Sequence, residues 1–133
     1  MSGESSTIHQ GLVVFAKNKK RVSTFYRQTL GLVAVEEQPS HDVLQGPGVE
    51  IVVHAIPRKY AAMISISKPP LVREASAMKP TFVVDSLERV RAATEATGGG
   101  LKPLAGAWHI RGAIVLDGHD PEGNVVQFKQ NEA

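Results

Sequence analysis

The sequence predicts an α+β fold made of two tandem βαβββ units. Two observations predict it. A strand-like run, a helix-spaced segment closed by glycine, and further strand-like runs occur before residue 57 and again after residue 79. The second copy closes on Asp120-Pro121-Glu122-Gly123-Asn124, a dense turn signal, followed by the β-branched and aromatic run Val125-Val126-Gln127-Phe128.

In chain order, residues 10–16 read as a strand and Asn18 as the N-cap of a helix. Val22, Phe25, Tyr26 and Leu30 then fall at helical spacing, and Gly31 is a natural stop. Strands are expected over 32–36 and 42–45, and a Gly46-Pro47-Gly48 turn leads into a strand over 49–56. The first unit is therefore residues 8–57. Residues 58–78 read as a linker with a Pro69-Pro70 stop and a short strand at 63–66. The second unit, 79–130, begins with a strand over 80–84. Asp85 or Ser86 then caps a helix through Leu87, Val90 and Ala93, which ends at Gly98-Gly99-Gly100. Strands follow over 101–104, 110–116 and 125–129. Arg21-Val22 superimposes on Arg89-Val90 and Gly31 on Gly99 at an offset of 68, whereas Glu50 meets Gln127 at an offset of 77. The second unit thus carries extra residues between its helix and last strand. Residues 1–7 are small and polar and read as a short disordered start.

The chain has 133 residues, enough for one domain with a real core. Hydrophobic content of 42% and charged content of 21% are globular values. A net charge of +2 argues against nucleic acid as a partner, and the cluster Lys17, Lys19, Lys20 and Arg21 reads as a solvated helix start. No cysteine is present, which excludes disulfides, thiolate metal sites and a cysteine nucleophile and agrees with a cytoplasmic location. No run is long and apolar enough for a membrane span, so no membrane partner is expected. A Gly-x-Ser-x-Gly elbow, an orienting Ser–His pattern, a Walker loop and a dinucleotide fingerprint are all missing from the sequence.

Phe25-Tyr26 followed by Leu30-Gly31-Leu32, the run Phe82-Val83-Val84-Asp85-Ser86-Leu87 and the 120–124 turn together resemble the vicinal oxygen chelate superfamily over residues 8–130. That superfamily holds glyoxalase I, bleomycin- and fosfomycin-resistance proteins and extradiol dioxygenases. The resemblance implies a half-open barrel around a cleft, in which the first and last strands of each unit aim His, Glu or Gln side chains at one divalent cation. It also implies pairing of two copies, and unpaired strand edges support the same homodimer.

Strand alternation locates those positions here. Leu12, Val14 and Ala16 should face the helix and Gly11, Val13 and Phe15 the cleft. Glu50, Val52 and His54 should face the cleft from the fourth strand, as should Lys79, Thr81 and Val83 from the fifth and Gln127 from the last. The four ligand positions then read Gly11, Glu50, Lys79 and Gln127. One good ligand beside an ammonium group predicts that the usual metal is absent and that no other cofactor is bound. A displaced divalent-metal site of His9, Glu50 and His54 is the alternative; His41 and His119, in turn contexts, receive no role. The expected arrangement has Lys79 standing in for the cation between Glu50 and Gln127. Val13, Phe15, Val52 and Val83 line an apolar cleft with Trp108 at its mouth. The function this implies is binding of a small organic molecule, with or without its transformation. Two alternatives are a metal-dependent lyase, isomerase or dioxygenase with relocated ligands, and a protein-interaction domain with a vestigial cleft.

Overall fold

The structure, a computed structural model, describes residues 9–132; the expectation for residues 1–7 lies outside the described residues. The first sheet is built from β1 (Gln10–Ala16), β2 (Val33–Glu37), β3 (His41–Gly46) and β4 (Val49–Ala55), in the order β1-β4-β3-β2. β1 runs parallel to β4, and the other pairs are antiparallel. The connection from β1 crosses the sheet as α1 (Lys19–Leu30), where the Asn18 side chain accepts from the Arg21 N–H and Gly31 closes the last turn at φ 67°.

The second sheet contains β5 (Thr81–Val83), β6 (Gly100–Leu101), β7 (Trp108–Ile110), β8 (Ala113–His119) and β9 (Val125–Asn131). Its order is β5-β9-β8-β6, with β7 also paired to β8. The crossing helix is α3 (Leu87–Thr97), capped by Ser86 and stopped by Gly98 at φ 87°. A four-residue helix, α2 (Arg58–Ala61), lies between the units.

Period-two burial shows how each sheet meets its helix. Val14, Ala16, Ile51, Val53 and Leu44 are buried under α1, and Val126, Phe128 and Leu116 under α3. Each helix contributes its own apolar stripe, with Val22, Phe25 and Tyr26 on α1 and Leu87 and Val90 on α3. The helices also pack on one another, so one core runs through both units. The two sheets remain separate, as a half-open barrel requires.

The 120–124 turn clamps the halves together. The Asp120 carboxylate is fully buried and accepts four hydrogen bonds. They come from the backbone N–H groups of Glu122 (2.9 Å) and Asn124 (3.1 Å), from the Asn124 side chain (2.8 Å), and from the Tyr26 hydroxyl on α1 (2.8 Å). Glu122 reaches across to the start of α1, where its two oxygens accept from the N–H groups of Lys17 (2.8 Å) and Asn18 (2.7 Å). The linker lies over the turn, with Arg73 N–H donating to the Gly123 carbonyl at 2.9 Å.

Three expected elements differ. Residues 63–66 form no strand, and the linker contains α2 instead. The run 110–116 is divided at Arg111-Gly112, whose positive φ values of 49° and 73° fold it into a β7–β8 hairpin. The strand over 101–104 shrinks to two residues because Pro103 ends it and a 3₁₀ turn follows at Leu104–Gly106. No helix among the described residues is long and apolar enough to cross a membrane.

Burial, then the negative charge of Asp120 and their hydrogen bond, hold the Tyr26 hydroxyl well above its ordinary value of 10.0. The folded state keeps a proton that the unfolded chain releases above pH 10. This stabilising contribution is complete below pH 10 and is lost as pH rises towards the raised folded value. Urea denaturation between pH 8 and 11 should show stability falling more steeply with pH in the native chain than in Tyr26→Phe. Tyr26→Phe itself should cost roughly 1–2 kcal/mol at pH 7 by leaving Asp120 short of a donor.

Candidate functional site

With the inner faces taken by the helices, chemistry is left to the outer faces. In the first sheet, Val13, Phe15 and Val33 are exposed there. The register sets Gly11, Glu50, Gln45 and Val33 in one row across β1-β4-β3-β2. Glu50 accepts a hydrogen bond from the Gln45 amide at 2.8 Å. His54 lies opposite Phe15, four positions along β4 from Glu50, with ring centroids 5.7 Å apart, and it stacks on His41 at 6.0 Å.

The second sheet carries a denser polar row. Thr81, Gln127 and Asp117 lie side by side across β5, β9 and β8. Thr81 donates to the Gln127 carbonyl oxygen at 2.9 Å, the Gln127 amide donates to Asp117 Oδ1 at 3.2 Å, and Lys79 Nζ donates to Asp117 Oδ2 at 3.0 Å. The Lys79 ammonium also sits 5.3 Å from the centre of the Trp108 ring, a cation–π contact of about 0.5–1 kcal/mol at an exposed site. Trp108 belongs to the next row, with Val115, Lys129 and Val83.

This arrangement gathers some of the expected residues and separates others. Lys79, Gln127, Thr81, Val83 and Trp108 share one face, while Val13, Phe15, Glu50, Val52 and His54 share a face of the other sheet. Within one chain Lys79 pairs with Asp117 rather than with Glu50 or Gln127, because Asp117 stands beside Gln127 in the same sheet and Glu50 lies in the other. The register also corrects a position: Gly11 is opposite Glu50 and Thr81 is opposite Gln127, so the counterpart of Gly11 is Thr81 and not Lys79. Lys79 lies two residues before Thr81, outside the strand.

Asp117 and His119 escaped the sequence reading, although alternation signalled them. They continue the odd-numbered face of β8, and the register opposes Asp117 to Gln127 and His119 to Val125. Burial, the largest influence, holds the His119 imidazole below its ordinary value of 6.5; Lys102 pushes the same way, while Asp120 and Glu74 oppose. A pocket of about 250 Å³ lies against this ring and Asp117, beneath the linker residues Val72 and Glu74.

The residues present do not fit a divalent metal. The four equivalent positions, Gly11, Glu50, Thr81 and Gln127, offer one carboxylate, and the Asp117 carboxylate is engaged by an ammonium group. His9 borders a depression with Gly11 and Glu50, but His54 faces Phe15 six positions along β1 from His9, roughly 20 Å away. The set His9, Glu50 and His54 therefore does not converge. Among the described residues, no three His, Asp or Glu side chains are placed to hold a metal ion. An orienting Ser–His pattern does exist, contrary to the sequence reading: Ser40 Oγ lies 2.8 Å from His41 Nδ1 and Glu36 Oε2 lies 2.5 Å from His41 Nε2. These residues flank the β2–β3 hairpin turn, where strand pairing brings Glu36 back to His41 on a solvent-facing edge.

No family model matches the sequence, and no curated protein matches it. Solved structures do. A glyoxalase/bleomycin resistance protein from Albidiferax ferrireducens T118 superimposes with a TM-score of 0.62 at 19% identity, over 92% of this chain and 97% of that one. A glyoxalase/bleomycin resistance protein/dioxygenase family enzyme from Burkholderia phytofirmans PsJN gives 0.66 at 19%, over 93% and 98%. A bleomycin resistance determinant encoded on the transposon Tn5 gives 0.61 at 16%, over 96% and 100%. The chain has the fold of the glyoxalase/bleomycin resistance/dioxygenase proteins.

The Lys79–Asp117 pair is partly exposed, with 36% and 18% of the two side chains accessible. A double-mutant cycle of Lys79→Met and Asp117→Ala, read by urea denaturation, should give a coupling of roughly 0.5–1 kcal/mol. Strict additivity would show that the pair contributes nothing to stability.

Proposed function

We propose that the chain is a glyoxalase/bleomycin-resistance-like protein that binds a small organic molecule on the outer face of its second sheet, with Lys79 in place of the usual metal. The observation that carries this reading is the Lys79–Asp117–Gln127–Thr81 network beside Trp108. Its free valences are mostly donors. Lys79 uses one N–H on Asp117 and keeps two, and Gln127 keeps one. Such a node suits a ligand oxygen, in a carboxylate or a carbonyl. Trp108, 49% exposed, offers the flat partner for a ring, and Val83 and Ile110 add apolar surface.

The same reading includes a homodimer. Val13, Phe15 and Val33 on one sheet and Val83, Trp108 and Ile110 on the other leave two apolar faces uncovered in a single chain. Glu50 on the first face and Lys79 and Lys129 on the second give them opposite charge, which favours one copy's first sheet over the other's second.

Trp108 is the only tryptophan, so its emission reports on this face directly. Titration with 2-naphthoate, a flat ring bearing a carboxylate, should quench it saturably. Lys79→Met should weaken that binding about tenfold, the loss of one charge-assisted hydrogen bond. Emission that stays unchanged while the naphthoate binds by calorimetry would place the site elsewhere. Light scattering at micromolar concentration should give twice the chain mass, and a monomer would remove the dimer from the reading.

A further inference from the structure

The outer face of the first sheet, at its β2–β3 hairpin end, gathers three side chains that take no part in the polar row of the second sheet. His41 on β3 and His54 on β4 are directly opposed. Ala55 N–H donates to the Ser40 carbonyl, so the adjoining pair His41–His54 exchanges no backbone hydrogen bonds. Such a pair brings its side chains closest, with Cα atoms about 4.5 Å apart. The imidazoles lie nearly parallel, at 17° and 6.0 Å between centroids, and Phe15 flanks His54 on the side away from His41. Glu36 joins them through a bulge. Unbroken pairing onward from Ala34–Leu44 would set Val35 against Val43 and turn Glu36 to the inner face beside Asp42. The shift between Ala34 and Glu36 sets Glu36 against Val43 on the outer face instead. Its Oε2 consequently lies 2.5 Å from His41 Nε2.

The two rings are held in matching ways. His54 Nδ1 lies 2.9 Å from the Ala55 carbonyl oxygen, which can only accept, so that nitrogen carries the proton and Nε2 bears the lone pair. His41 Nδ1 lies 2.8 Å from Ser40 Oγ, a hydroxyl that serves as donor or acceptor. A ring pinned at Nδ1, with Nε2 left to ligate, is how proteins present histidine to a metal ion. Without a cation, His41 Nε2–H donates to Glu36 and the Ser40 hydroxyl donates to Nδ1. A cation on Nε2 selects the other tautomer. Nε2 gives up its proton, Nδ1 gains one and donates it to Ser40 Oγ, and the Glu36 carboxylate passes from the proton to the cation. No net proton is taken up or released. As the side chains stand, the three do not converge on one point, and nor does any other His, Asp or Glu set among the described residues. Side-chain rotation on a fixed backbone closes them, because nitrogens around a tetrahedral zinc lie about 3.3 Å apart and opposed Cβ atoms about 4.5–5.5 Å.

We propose that His41, His54 and Glu36 form a binding site for a divalent transition metal, zinc above all, completed by water from the solvent side. Two imidazoles and one carboxylate match the nitrogen and oxygen donors that zinc takes, with a fourth position left to water. Magnesium and calcium, which take oxygen ligands, do not suit the pair of imidazoles. The His41 and Glu36 side chains, 27% and 48% accessible, leave that fourth position open. The ion staples three neighbouring strands across the hairpin. The site shares no residue with Gly11, Glu50, Thr81 and Gln127, or with the network around Lys79, so it stands whether or not the second sheet binds a small molecule.

The test is zinc titration of the full chain after treatment with a chelator. Calorimetry should show one saturable zinc per chain, and magnesium should not bind at the same concentration. The ring resonances of His41 and His54 should move together while those of His9, His109 and His119 stay in place. Ser40→Ala, which removes only the partner of His41 Nδ1, and Glu36→Gln should each weaken zinc about tenfold, and His41→Asn or His54→Asn about a hundredfold. Urea denaturation checks that these variants fold, and zinc should raise the midpoint of the native chain but not that of His54→Asn. Full-strength binding in either histidine variant, movement of His9, His109 or His119 in place of His41 and His54, or no binding at millimolar zinc would each overturn the proposal.

Discussion

The buried Asp120 carboxylate is the constraint on which the rest of the molecule depends. A carboxylate taken wholly out of water is costly unless its lone pairs are filled. Here four donors fill them, and they come from both units: the turn's own backbone, Asn124, and Tyr26 of α1. Local turn chemistry is thereby converted into a contact between residues far apart in the chain. Glu122 extends the effect by accepting from the N–H groups of Lys17 and Asn18 just before α1. Pro121 and Gly123 are also buried, so the turn is an interior element rather than a surface loop.

This clamp determines where function can reside. Because α1 and α3 meet in the core and the 120–124 turn holds the start of α1, the inner face of each sheet is fully committed to packing. The outer faces receive the alternate residues of every strand, and they hold nearly all the polar side chains that a ligand could meet. A site in this fold is therefore a row or two of cross-strand neighbours. Its composition follows from pairing register more than from proximity in sequence.

That dependence explains what the sequence disclosed and what it withheld. Faces were legible because each is a period-two pattern: Val14, Ala16, Ile51, Val53, Val126 and Phe128 point inward as alternation predicts. Caps were legible because Asn18, Ser86, Gly31 and Gly98 act locally. Register is not legible, since it depends on which residues of distant strands align: counting along the sequence makes Lys79 the counterpart of Gly11, whereas Thr81 holds that place. Asp117 was hidden at the end of the apolar run Ala113-Ile114-Val115-Leu116, where composition suggested core. His119 looked like part of a turn, yet it is the last residue of β8 and points the same way as Asp117. The split at Arg111-Gly112 required a positive φ at arginine, which residue preferences argue against.

The two units answer one another in a way that clarifies the chemistry. Glu50 on β4 and Gln127 on β9 occupy equivalent places, and so do their antiparallel neighbours Gln45 on β3 and Asp117 on β8. Each unit thus holds an amide donating to a carboxylate, at 2.8 Å in the first and 3.2 Å in the second, with the two residue types exchanged between strands. The exchange changes what each row offers. In the first unit the acid lies beside Gly11, which brings no side chain, and it faces solvent. In the second unit the amide takes the central position, bonded on one side to Thr81 and on the other to Asp117, and the acid moves within reach of Lys79. The carboxylate is then neutralised where it is half-buried, and the amide is oriented by partners on both sides. A tethered ammonium can do this because its charge arrives with the fold. The result is a fixed set of donors held between Thr81 and Asp117 at the centre of the second sheet's outer face.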